Sequence, residues 1–153
     1  MPTSIWDVLM GESGDDGGPN MFDYGNDLMA SAEKTVSKTM GLGEVMDWAT
    51  KSRGYQGDSR GKGDAMRHLL LSAELQRTHP MMAGPLLYGH EYVTNMLQGQ
   101  RSDDRAQDLH NNNLGRDIGR RAKSRDEIER LARETLESGR AMVLPDLKQM
   151  DGY

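Results

Sequence analysis

Cysteine is absent from the 153 residues, which removes disulfides, thiolate catalysis and cysteine-type zinc sites together. Aromatic residues are scarce, at 5% of the chain with one Phe and two Trp, so a core has to be assembled from Leu, Met, Val and Ala. No apolar run approaches the roughly 18 residues that a membrane span requires. The opening stretch Met1-Pro2-Thr3-Ser4-Ile5-Trp6-Asp7 has neither the basic nor the apolar region of a signal peptide, so synthesis in the cytoplasm is expected. Basic charge is not in excess either: 19 basic residues face 24 acidic ones, for a net charge of −5. Displacing counterions from phosphates needs a positive surface, so this balance speaks against non-specific nucleic-acid binding. Strand pairs and internal repeats are lacking as well.

Helical periodicity is plentiful. A chain of this length is about one domain, and the patterns predict an all-α, compact bundle of about five to six helices over residues 21–140. A flexible N-terminal arm (1–20) precedes it and an extended tail (141–153) follows. In the arm, Ile5–Met10 forms a short apolar hook. The acidic, glycine-rich residues 11–20 cannot bury enough apolar area to offset the entropy of ordering. The hook either folds back on its own domain or docks on a neighbouring chain. Leu28, Ala32, Val36 and Met40 recur every fourth residue, and Gly41 then reads as a stop. A short helix follows over about 44–53, ended by Gly54, and 54–63 is a glycine-rich loop. That loop lacks the Gly-Lys-Ser/Thr ending of a phosphate loop and follows no strand. Asp64 is expected to cap the next helix, which is apolar on nearly all sides as far as His79-Pro80 and so belongs at the centre of the fold. Further helices are expected over about 86–98 and 102–123. Ser124…Glu127 reads as a capping box opening an amphipathic helix on Ile128, Leu131, Ala132, Thr135 and Leu136, stopped by Gly139. The twelve methionines suit gap filling in the core or an adaptable contact surface, the first being the favoured reading. The tail Ala141–Pro145 reads as a segment lying along a neighbour.

Three polar segments interrupt good helix or good core. The first is Asp64-Ala65-Met66-Arg67-His68, in which Asp64 and His68 share one side of a helix. The second is Gly89-His90-Glu91, with His90 on an apolar stripe. The third, Asp108-Leu109-His110-Asn111-Asn112-Asn113-Leu114-Gly115-Arg116, places three consecutive Asn and a Gly inside a helix, each costing about 0.5–1 kcal/mol relative to Ala. Asp108, Asn112, Gly115 and Gly119 fall on one side of that helix, with Asn111 at its edge. Such a strip admits another backbone closely and offers amides to buried polar groups.

Two accounts of these segments compete. In one, His68, Glu91 and Asp108 converge as a catalytic set, with Asp64, His90, His110 and Asn112 as supporting partners. Glu91, raised by burial, would then be a general acid or base beside His68. The same residues have the oxygen and nitrogen donors for a divalent metal such as zinc or manganese. No spacing among them has the specificity of His-Glu-x-x-His, so the cofactor stays open. In the other account the set is a buried hydrogen-bond network that fixes helix register, with Arg67 or Arg116 paired to Glu91 or Asp108 and Asn112 tying helices together. The basic stretch from Arg116 to Arg125 reads as cations complementing a helix C-terminus rather than as a phosphate-binding patch.

The three segments together resemble a helical domain of poorly characterised function with the pattern Asp-Ala-x-Arg-His, His-Glu and Asp-Leu-x-Asn-Asn-x-x-Gly-Arg. It occurs in phage-encoded proteins and in bacterial secreted or toxin-like proteins. The resemblance spans about residues 62–122, with Asp64, Arg67, His68, His90, Glu91, Asp108, Asn111, Asn112, Gly115 and Arg116 at the matching positions. It implies a phage protein made in the host cytoplasm and associated with the virion, acting by docking on other virion proteins or on copies of itself. The alternatives are a hydrolase, acting on the bacterial cell envelope through Glu91 and His68, and a toxin-like effector module.

Overall fold

In a computed structural model of the chain, residue 38 and residues 40–55, 60–88 and 102–145 are described. The chain parts into two units, residues 1–43 and 44–153. Among the described residues there are five helices and no strand: α1 (Leu42–Ser52), α2 (Gly61–Thr78), α3 (80–88), α4 (Ser102–Arg121) and α5 (Arg125–Glu137). The fold is all-α. The expected hook at Ile5–Met10, the helix expected before Met40 (residues 28–37) and the segment with His90 and Glu91 lie outside the described residues.

The second unit is organised around α2, which packs chiefly against α4 and also against α5. Its all-round apolarity has the expected consequence: Ala65, Met66, Leu69, Leu70 and Ala73 are fully buried. Ile118 of α4, Ala49 of α1 and the α5 stripe Ile128, Ala132 and Leu136 join them in one core. Methionine contributes Met66 to that core, whereas Met46, Met81, Met82 and Met142 are exposed. Close helix packing leaves few irregular gaps for thioethers to fill, so core filling accounts for only part of the methionine content.

The α2–α4 approach depends on two glycines. A Cβ on Gly115 would lie 1.9 Å from Ser72 Oγ and 2.5 Å from the Leu69 carbonyl oxygen, and one on Gly119 would lie 2.2 Å from the Ala73 carbonyl oxygen. All three distances are far inside van der Waals contact, so the strip of small residues is what lets the two backbones meet.

Helix boundaries follow the local signals with three differences. α2 starts one turn earlier than Asp64, at Gly61, with Arg60 in the N-cap position and no side-chain cap. Asp64 is then a buried first-turn residue whose carboxylate faces other side chains. α3 begins at 80 rather than near 86, because Pro80 suits a first helical position, where its missing N–H has no partner to lose. Pro85 is carried inside that helix. α5 opens as expected: Ser124 Oγ accepts from Glu127 N (3.2 Å), while Glu127 Oε2 reaches one residue further back, to Lys123 N (2.9 Å). The helix ends at Glu137, and past the Ser138 cap Gly139 has a φ of +76°, the left-handed conformation that glycine adopts without a Cβ penalty.

The tail is the clearest departure. Ala141–Pro145 lies on its own domain, gripped through its backbone. Asn111 Nδ2 donates to Met142 O (2.8 Å) and Asn111 Oδ1 accepts from Met142 N (2.9 Å). Leu144 N donates to Gln107 Oε1 (2.8 Å), and His110 Nε2 donates to Arg140 O (2.8 Å). Arg60, 6% exposed, donates to Pro145 O and forms ion pairs with Asp103 and Asp104.

Candidate functional site

Asp64 and His68 stand one turn apart on α2, and Asp108 and Asn112 stand one turn apart on α4. Four-residue spacing puts each pair on one helix face, and the glycine-mediated approach of the helices brings the faces together. Ligand atoms of Asp64, His68 and Asp108 lie within 4.8 Å of one another, the one such group of His and acidic residues among the described residues. His68 Nε2 is 3.1 Å from Asp108 Oδ1 and 3.7 Å from Asp64 Oδ1. On the other side of the ring, His68 Nδ1 donates to Asn112 Oδ1 (3.0 Å). That bond orients the ring and turns Nε2 toward the carboxylates.

The two carboxylates are held differently. Asp64 is 3% exposed. Its Oδ2 accepts from Gln107 Nε2 (2.9 Å), and its Oδ1 accepts from Arg67. His68 and Asp108 are 12% and 13% exposed, so the edge of the cluster between them reaches solvent while Asp64 forms its floor. One imidazole, two carboxylates and two orienting amides can accept and deliver a proton at Nε2. They can equally hold a cation among three donor atoms.

Of the residues singled out in the sequence, His68, Asp108, Asp64 and Asn112 come together, and Arg67 joins them through Asp64. The described contacts of Arg116 lie elsewhere. Its Nε donates to Gln76 Oε1 (2.9 Å), and its guanidinium lies over the Tyr88 ring. Asn111, at the edge of the polar strip, is fully buried, and with His110 it holds the tail. His90 and Glu91 are outside the described residues. Gln107 went unnoticed in the sequence. Its signal was its place beside Asp108 in a helix where polar residues already crowd one side, and its single amide bonds both Asp64 and the tail.

A second buried polar group sits further along α2. Glu74, 1% exposed, accepts from Arg77 (2.8 and 2.9 Å) and from Arg125 Nε (2.9 Å). Burial works to raise this carboxyl, but the hydrogen bonds and charges of Arg77 and Arg125 outweigh it and hold the group below the usual glutamate range. Arg125 also reaches Glu44 (3.1 Å) and lies 5.0 Å from the centre of the Trp48 ring. Much of the basic stretch after Arg116 is thus engaged within the chain.

None of the helices described is long and apolar enough to cross a membrane. No curated protein and no solved structure matches the chain. A family model does match, over residues 29–140, an interval that contains every residue of the His68 cluster. The chain belongs to the family described as a domain of unknown function, DUF6973.

Proposed function

We propose that this domain is a small hydrolase whose reactive centre is the Asp64–His68–Asp108 cluster. The observation that carries the reading is the crowding of two carboxylates around a single imidazole nitrogen, at 3.1 and 3.7 Å, where the cluster meets solvent. A network serving only helix register needs one acceptor at that nitrogen. A second carboxylate adds repulsion unless a proton or a cation is shared there. A water molecule entering beside His68 and Asp108 would attack the scissile bond and pass a proton to the cluster, which would return it to the leaving group as that bond breaks. Glu91, which the sequence places in the neighbouring polar segment, is the natural second acid–base group. The substrate class, bacterial cell-envelope polymers, rests on the resemblance to phage and secreted proteins.

The test compares the parent chain with Asp108→Asn on purified cell wall and on a chromogenic phosphodiester, alongside melting temperature. The expected result is activity in the parent and a loss of about 10²-fold or more in the variant, with melting little changed. No turnover of either substrate by the parent, or equal turnover by the variant, would sink the reading. A second reading, docking within a phage virion, is favoured by α3. There Met81 is 88% exposed, with Met82 and Tyr88 also open to solvent, and exposed methionines adapt well to a partner surface.

A further inference from the structure

We infer that Asp64, His68 and Asp108 bind one divalent transition cation, with zinc the best-fitting ion. The inference rests on the hydrolytic reading of this cluster and specifies how it works, with His68 then a ligand and proton acceptance left to a carboxylate.

Two features support it. The first is spacing. Zinc bonds to imidazole nitrogen and carboxylate oxygen of about 2.0–2.1 Å place tetrahedral donors roughly 3.3 Å apart, and the measured Nε2–Oδ1 separations of 3.1 and 3.7 Å bracket that edge. The second is the state of the imidazole. Nδ1 is engaged by Asn112 Oδ1, which leaves Nε2, on the carboxylate side, as the nitrogen that a metal would take. A ligating histidine held by a hydrogen bond at its far nitrogen is the usual arrangement around protein-bound zinc.

The donor set also chooses among ions. An imidazole with two carboxylates suits zinc or manganese, whereas calcium and magnesium prefer shells made wholly of oxygen. Asp64 retains capacity for a metal despite its other partners, since a carboxylate offers about four lone-pair positions and Gln107 and Arg67 occupy two. Three protein ligands leave a coordination position toward the solvent-facing edge, as catalytic zinc sites do.

The test uses the full chain, stripped with chelator and titrated with zinc chloride and separately with manganese chloride. Calorimetry and elemental analysis report the stoichiometry. One zinc ion per chain is expected, with a rise in melting temperature on binding. Asp108→Asn and His68→Gln should abolish the binding while far-ultraviolet circular dichroism stays helical. Asn112→Ala keeps all three donors and loses only the orienting bond, so it should weaken zinc by about 10–100-fold. It also serves if a ligand variant fails to fold. Absence of zinc and manganese binding at millimolar concentration would overturn the inference, as would binding unchanged in the ligand variants. Hydrolysis by the stripped, metal-free chain would likewise remove the cation while leaving the hydrolase reading intact. Bound zinc lost in the ligand variants, without hydrolysis, would support the site and remove that reading.

Discussion

Helix α2 carries two polar clusters less than two turns apart, and they solve opposite problems. At Glu74, two arginines converge on one buried carboxylate. At His68, two carboxylates converge on one imidazole nitrogen. The first group is over-supplied with donors and sits deep. Its partners come from its own helix and from α5, and its charge is settled in the folded chain. The second gathers acids around a base, spans the α2–α4 crossing and opens to water. Burial and hydrogen bonding alone therefore do not mark a reactive site. The kind of group at the centre and access to solvent separate a structural charge cluster from one poised to take up a proton or an ion.

The largest expected effect tests the frame that holds the His68 cluster together. Gly115→Ala places a methyl against Ser72 Oγ and the Leu69 carbonyl, which forces α2 and α4 apart. The expected loss is about 3 kcal/mol, the upper part of the range for overpacking, measured by denaturant unfolding. Because the crossing also sets the distance from His68 to Asp108, zinc affinity should fall with it. Unchanged stability would mean that the helices do not approach at this glycine.

Glu74→Gln should separate the two clusters. Removing the charge that receives Arg77 and Arg125 should cost about 2 kcal/mol at neutral pH and leave the His68 centre untouched. The carboxyl is held below its ordinary value, so the folded state binds fewer protons here than the unfolded chain. Its contribution is therefore present above the ordinary glutamate range and is lost as pH falls through the lowered value. The parent and variant stability curves should accordingly converge in acid, below the ordinary glutamate range. A gap that persists there would show that Glu74 acts through packing rather than charge.

The smallest effect concerns what lies behind the His68 centre. Asn111→Ala removes both hydrogen bonds to Met142 and should cost about 1 kcal/mol. It should also speed amide exchange at Met142 and Leu144. Exchange that stays as slow as in the parent would show that the tail is held chiefly by Ala141 and Arg60.

Much of this arrangement was legible in the residues. The glycines at 115 and 119, costly in a helix, announced a close crossing, and the four-residue spacings of Asp64 with His68 and of Asp108 with Asn112 announced shared faces. The apolar surround of α2 marked it as central. Pairing between distant residues was not legible, because side-chain identity fixes what a group can bond but not which partner the packing delivers. Arg116 was offered a carboxylate partner at Glu91 or Asp108, and its Nε is found on Gln76. Glu74 and Arg60 were passed over, although an acid buried in a largely apolar helix calls for a buried cation. Pro80 and Pro85 resembled a break because the second can sit inside a helix only at the loss of a backbone bond, which local rules disfavour. The tail was read as an extended segment lying along a neighbour, since its own residues carry no helical signal. The residues that hold it are an Asn and a Gln more than thirty positions earlier.

The way that tail is held has an evolutionary consequence. Asn111, Gln107, His110 and Arg60 meet only main-chain atoms of residues 140, 142, 144 and 145, so the groove recognises an extended strand without reading its letters. The side chains at 142 and 143 are free to drift among relatives with little penalty. Proline at 142 or 144, which removes a donated N–H, is the substitution that this grip forbids.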